Sequence, residues 1–286
     1  MSNDRHDEGR RRFMTGLGAL GLGAAAGGLG VLAAGATGAE AAAVEIPEGS
    51  WPYKPLDPMK ARKLGHWGYY QSSCSFGVFN SIVTCLRDEV GFPYTVIPTR
   101  MMTYGEGGVA GWCSLCGALN GACAAINLAC DKEKALCDEL LKWYVQHPFP
   151  SKLSNDLAAN HQFLVDKYKS DKVLPQSQTG SPLCHVTVTR WCKEHGYASG
   201  SKERSERCAR ISADVAAKTV ELLNDYHAGK FASANDYTDT TKQCRACHKK
   251  GKDFDAGQWT RGKMDCGGCH IDGKIKVVGA DHYPPS

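Results

Sequence analysis

The chain has 286 residues, 34 Lys and Arg against 30 Asp and Glu, a formal net charge of +4, and 14 cysteines. No long basic tract is interleaved with aromatics, so nothing points to nucleic acid. A chain this long can bury a core without disulfide staples, so the cysteines need another explanation.

The first element is an address. Arg10, Arg11 and Arg12 precede Phe13 and Met14, a twin-arginine pattern. A weakly apolar run rich in Gly, Ala and Leu follows to about Ala36. Small residues then offer cleavage sites at Ala34-Gly35-Ala36 or Ala41-Ala42-Ala43. The rival reading is an uncleaved anchor, but the glycine content makes a poor spanning helix. No later stretch reaches the roughly 20 apolar residues a span needs. The expectation is a signal peptide at 1–43 and delivery to the periplasm by the twin-arginine route. No stable membrane span remains after cleavage.

The body, 44–228, reads as helical. Residues 76–90 carry apolar side chains at helical spacing and stop at Gly91 and Pro93. "YTVIP" at 94–98 is the best strand signal. Residues 107–130 read as a buried helix of small apolar residues. Asp131 is a candidate cap for the helix "KEKALCDELLKWYVQ", which stops before Pro148. Ser154 is a candidate cap for a helix over 154–169. A long amphipathic helix is predicted from Ser201 to Gly229.

Residues 229–286 are turn-rich and hold "CRACH" and "CGGCH". Cys244, Cys247, Cys266 and Cys269 also have zinc-knuckle spacing, C-x2-C-x18-C-x2-C. His248 and His270 decide between the readings, because haem c attachment needs two thiols for the vinyl groups and the next imidazole for the iron. Two haems c per chain are predicted, close together across the 17-residue connector, in a segment too irregular to form a core alone. Residues 242–286 hold nine basic and five acidic residues, which accounts for the whole net charge. That excess suits an acidic redox partner protein or offsets haem propionates. Among histidines, His66, His147, His161, His185, His195, His227 and His282 could fill a sixth iron position. Met264, Met101 and Met102 are alternatives.

Ten cysteines lie upstream. Cys116, Cys123, Cys130 and Cys137 recur every seven residues, about 10.5 Å apart along a helix and too far to share one centre. Most read as small buried fillers. Cys113 and Cys116 form C-x2-C. Cys74 precedes a helix, where a thiolate is favoured. Cys184, Cys192 and Cys208 surround a short polar segment. Thiolates converging from separate segments would hold an iron–sulfur site. The leader supports that, because covalent haems alone give no reason to fold before export, whereas a cluster assembled in the cytoplasm does.

The stretches "LGHWGYYQSSCSFGVFN", "GWCSLCGALNGA", "LPQSQTGSPLCHVTVTRWC", "SKERSERCARISADVAA" and "GKMDCGGCH" together resemble the split-Soret cytochromes c, within the redox proteins with a C…GCAxxG…C…C pattern. Here the cysteine precedes the glycine in "CGALNG", a departure at Cys116. The resemblance implies a homodimer with two nearly stacked bis-histidine haems per subunit, each haem taking one histidine from the other subunit. It further implies an iron–sulfur centre of the two-iron type. Carried onto this chain, His66, His161 and His185 become the distal-ligand candidates, and Cys74, Cys116, Cys184, Cys192 and Cys208 the cluster candidates.

The expectation is therefore a mainly α protein: a Cys-rich helical domain with an irregular C-terminal dihaem c segment. Its expected work is periplasmic electron transfer in anaerobic respiration, by two haems c and a [2Fe-2S] centre. A small-molecule reductase with an open haem position, and a redox-sensing or metal-handling protein, are the alternatives. A non-enzymatic carrier is preferred over an enzyme.

Overall fold

The computed structural model describes residues 45–258 and 260–267. The signal peptide, Cys269, His270 and His282 lie outside the described residues.

The first element, α1 (Pro58–Glu89), is two helices in one. Asp57 caps it by accepting the Met59 amide, but the backbone leaves helical geometry at Ser72 and Ser73, where φ is −164° and +70°. A straight helix would hold Lys60 and Asp88 roughly 40 Å apart. Their ion pair measures 2.8 Å, so the halves 58–71 and 74–89 run back on each other. Glycine permits this. A Cβ on Gly68 would stand 2.7 Å from the Gly77 Cα, so the two backbones touch.

Short 3-10 turns follow at Tyr94–Val96 and Thr99–Gly105. The expected strand at 94–98 is thus a turn, entered and left through Pro93 and Pro98, which fix φ and donate no hydrogen bond. The helix expected over 107–130 begins only at Gly117, as α2 (Gly117–Ala129). Residues 107–113 cannot join it, because Gly107, Gly108, Val109, Ala110, Gly111 and Cys113 all have positive φ. Next comes α3 (Glu133–Gln146), which starts without a side-chain cap. Asp131, the expected cap, accepts from the Tyr226 hydroxyl instead.

Pro148–Phe149 (β1) pairs antiparallel with Ser177–Gln178 (β2). Between them α4 (Lys152–Ala159) is capped by Ser151, not Ser154, and ends ten residues before the expected boundary at 169. Two further helices are α5 (Cys184–His195) and α6 (Lys202–His227), the second a long helix as expected and capped by Ser201. Finally α7 (Asp239–His248) carries the first haem-attachment motif, so the C-terminal segment is less irregular than its composition suggests. The described chain is mainly α, in agreement with the sequence reading.

The core lies where α1, α2 and α6 meet, filled by Val78, Ile82, Leu86, Leu119, Ile126, Val215 and Val220. Each such side chain contributes about 1.5–3 kcal/mol on burial. None of the described helices is long and apolar enough to cross a membrane.

An arm, residues 229–238, ties the haem-attachment helix to this body. The buried carboxylate of Glu139 on α3 accepts from Ser233 Oγ (2.6 Å), the amides of Ala234 (3.1 Å) and Asn235 (3.0 Å), and Asn235 Nδ2 (2.6 Å). Burial pushes its pKa up, but these donors outweigh burial and hold it below the ordinary 4.5. The clasp is therefore complete above about pH 4.5 and is lost as pH falls through the lowered folded value. Bonds to a charged group contribute about 1.5–3 kcal/mol each. Glu139→Ala should free the arm, so that limited proteolysis cuts between Gly229 and Thr238 many times faster while the helical body keeps its melting temperature. Unchanged cleavage would show that other contacts hold the arm.

Candidate metal centre

Four cysteines reach one place from four separate segments. Cys74 opens the second half of α1, directly after the reversal at Ser73. Cys116 is the N-cap of α2, and Cys184 is the first residue of α5. Cys208 sits within α6. Three of the four thus stand at helix N-termini, where the partial positive charge of free amides favours a thiolate.

Backbone hydrogen bonds fix two of these ends against each other. Leu115 and Leu183 form an antiparallel bridge. Around it the Cys116 amide donates to the Pro182 carbonyl (2.9 Å), the Cys184 amide to Ser114 (2.7 Å) and the His185 amide to Cys113 (3.0 Å). Cys113 adopts φ +60° and Ser73 φ +70°, so two strained residues flank the thiols. A Cβ on Gly117 would collide with Cys74 Sγ, which explains why the thiol is presented from position 116 and glycine occupies 117.

The electrostatics confirm the grouping. Burial above all, with Cys74 and Cys208 adding to it, pushes the Cys116 thiol up to about 12. Burial raises Cys74, with Cys208 adding to it and the Ser73 hydroxyl and Gly107 amide opposing. Cys184 is raised by burial, then by Cys116, Cys208, Cys74 and Cys113. Negative charge gathered here repels itself, so Cys74, Cys116 and Cys184 ionise together only around a compensating cation.

Arg207 is fully buried beside this group, and Nε, Nη1 and Nη2 all lack hydrogen-bond partners. Its guanidinium lies 5.3 Å from the Trp191 ring centre on α5. It also acts on Tyr144, whose buried hydroxyl neighbours Cys116. An uncompensated buried guanidinium is costly, so its surroundings suit a negatively charged group. Among the described residues, no three His, Cys, Asp or Glu side chains are gathered tightly enough to hold a single ion. A cluster of two irons distributes its thiolates over two metals and suits this wider spacing.

The remaining sequence candidates divide. Cys192 is the exception among the cluster candidates: Arg204, Arg207 and Cys208 act on it, and Cys74, Cys116 and Cys184 do not. Cys113, left out of that set, acts on Cys184; its C-x2-C spacing with Cys116 was the available signal. Cys130 is a buried filler, as expected, and Cys85 is buried in the same core. His66 is fully buried, stacked on Phe163 at 3.9 Å, and its Nε2–H donates to Glu206 at 2.9 Å. That engagement keeps His66 off the protein surface, while its Nδ1 makes no hydrogen bond. His161 is exposed, with φ +52° and Asp171 at 3.4 Å. His185 is exposed on the first turn of α5, next to Cys184.

In the C-terminal segment the Thr260 amide donates to the His248 carbonyl (3.1 Å), folding the connector back. The Cys266 thiol then faces Cys244, the first cysteine of the other motif. A cleft of about 280 Å³ adjoins them, walled by Leu141, Val145, Tyr237 and Met264.

Residues 74–222 match the family model described as a redox-active protein, C_GCAxxG_C_C. The chain is 36% identical to split-Soret cytochrome c from Desulfovibrio desulfuricans over 266 residues, covering 89% of this chain and 91% of that one. It is also similar to the solved structure of split-Soret cytochrome c from that organism, described with a novel iron centre. The TM-score is 0.67 at 32% identity, over 78% of this chain and 90% of the other. With its cysteines brought together from four segments and this likeness along nearly its whole length, the chain belongs to the split-Soret cytochrome c family of redox electron-transfer proteins.

Proposed function

We propose that this protein is an exported dihaem c-type cytochrome whose helical body holds a [2Fe-2S] centre on Cys74, Cys116, Cys184 and Cys208. The observation that carries the reading is the meeting of those four thiols beside an unpartnered buried arginine. Bound there, the cluster would supply a one-electron couple. The helix N-termini and Arg207 would hold its negative charge, and the buried surroundings would keep water from the sulfurs. Haems c would be held by Cys244, Cys247 and His248, and by Cys266, Cys269 and His270. The approach of Cys244 to Cys266 supports two haems held close together. Export by the twin-arginine route to the periplasm fits a cluster inserted before export.

The exposed His161 and His185 are the better distal-ligand candidates, donated across a homodimer in which each subunit supplies the other. An acidic redox protein is the proposed partner, met by the basic C-terminal segment.

The test is an iron and acid-labile sulfide count on pure protein, with its visible spectrum and native mass. About four irons and about two sulfides per chain, low-spin haem and a dimer are expected. Two irons per chain with no sulfide would overturn the cluster. High-spin haem in a monomer would overturn ligand exchange.

A further inference from the structure

Two cysteines outside the metal centre face each other across the hairpin of α2 and α3. Cys123 and Cys137 stand seven residues on either side of Cys130, at the turn between the helices. In an antiparallel helix pair, residues equidistant from the turn lie opposite one another. Each thiol acts on the other: hydrogen bonding between them depresses the pKa of Cys123 and raises that of Cys137. Both residues are partly exposed, unlike the buried Cys74 and Cys116. An oxidant in solution can therefore reach this pair without opening the core.

We propose that Cys123 and Cys137 are a dithiol–disulfide pair, joined after export by exchange with a disulfide-bearing oxidant. The Cys123 thiolate attacks one sulfur of the oxidant's disulfide, forming a mixed disulfide and releasing one oxidant thiolate. The Cys137 thiolate then attacks the Cys123 sulfur and expels the second. Two protein thiols lose two electrons and two protons, and the oxidant gains two thiols. A reducing cytoplasm keeps the pair open, whereas an oxidising compartment closes it.

The bond would staple the ends of a 15-residue loop, 123–137. It would fix α2, which presents Cys116, against α3, which carries Tyr144. The inference is independent of the iron–sulfur reading, since neither sulfur belongs to that group.

The native holoprotein tests it without substitution. It is treated with oxidised glutathione at graded ratios to reduced glutathione, alkylated, and digested without reduction. The peptides containing Cys123 and Cys137 should appear joined, lighter than their sum by two hydrogen atoms, and separate on reduction. The oxidised form should melt several degrees higher, and the Cys123→Ser/Cys137→Ser protein should not respond to the ratio. Full alkylation of both cysteines in the most oxidising mixture would overturn the proposal. So would a stable glutathione adduct on Cys123 that Cys137 fails to displace.

Discussion

Cys184→Ser is expected to remove the non-haem iron and acid-labile sulfide completely while leaving covalent haem at its full amount. Cys184 is acted on by Cys116, Cys208, Cys74 and Cys113. A hydroxyl in its place remains protonated and offers a harder, weaker ligand to iron. Haem attachment needs only the C-terminal motifs, so it should survive. A cluster bound there would stabilise the fold by mass action, so the variant should also melt lower than the loaded protein. Cys192→Ser is the contrasting control. Of the group Cys192 faces only Cys208, and its loss should leave the iron count unchanged. Equal iron in Cys184→Ser and the unsubstituted protein would overturn the assignment of Cys184. Iron lost from Cys192→Ser would place that residue in the site.

Glu206→Ala is expected to cost on the order of 3–5 kcal/mol, the cost of breaking a buried ion pair from one side. Glu206 is fully buried on α6. Its carboxylate accepts from His66 Nε2 at 2.9 Å, from Arg210 Nε at 3.1 Å and from the Tyr70 hydroxyl. Burial raises its pKa, but His66, Tyr70 and Arg210 together bring it below the usual value. Without it, buried Arg210 keeps its bonds to Asn155, Lys172 and Ser170 but loses its counter-charge. For a chain of this size the melting temperature should fall by roughly 10 °C. Glu206→Gln, which keeps the shape, should fall by less. Haem spectra decide the role of His66. If it only braces the core, the haems of Glu206→Gln stay low-spin. A spectral change there would return His66 to the distal ligands. A melting temperature within a degree of the unsubstituted protein would overturn the structural role of the network.

Local chemistry was legible along the chain. A haem-attachment motif is complete within five residues, so the proposal for Cys244, Cys247 and His248 needs no fold to be made. The long amphipathic period of α6 is equally local, and the helix was read within two residues of its ends. The α3 helix was legible because Pro148 stops it.

The tertiary structure decided what depends on contact between distant segments. Residues 58–71 carried no readable helix signal, because their packing face is built from Gly65 and Gly68. Those residues have almost no side chain to register as apolar, and their value is the backbone approach they allow. The reversal at Ser73 puts Cys74 at a helix start. The Leu115–Leu183 bridge brings Cys116 to Cys184, 68 positions further along the chain. Cysteine spacing along the chain is blind to such pairing, since the relevant separation is through space. His66 meets the same limit: its residue type suits an iron ligand, and only the fold shows it buried against Phe163 with Nε2 bonded to Glu206, 140 residues away.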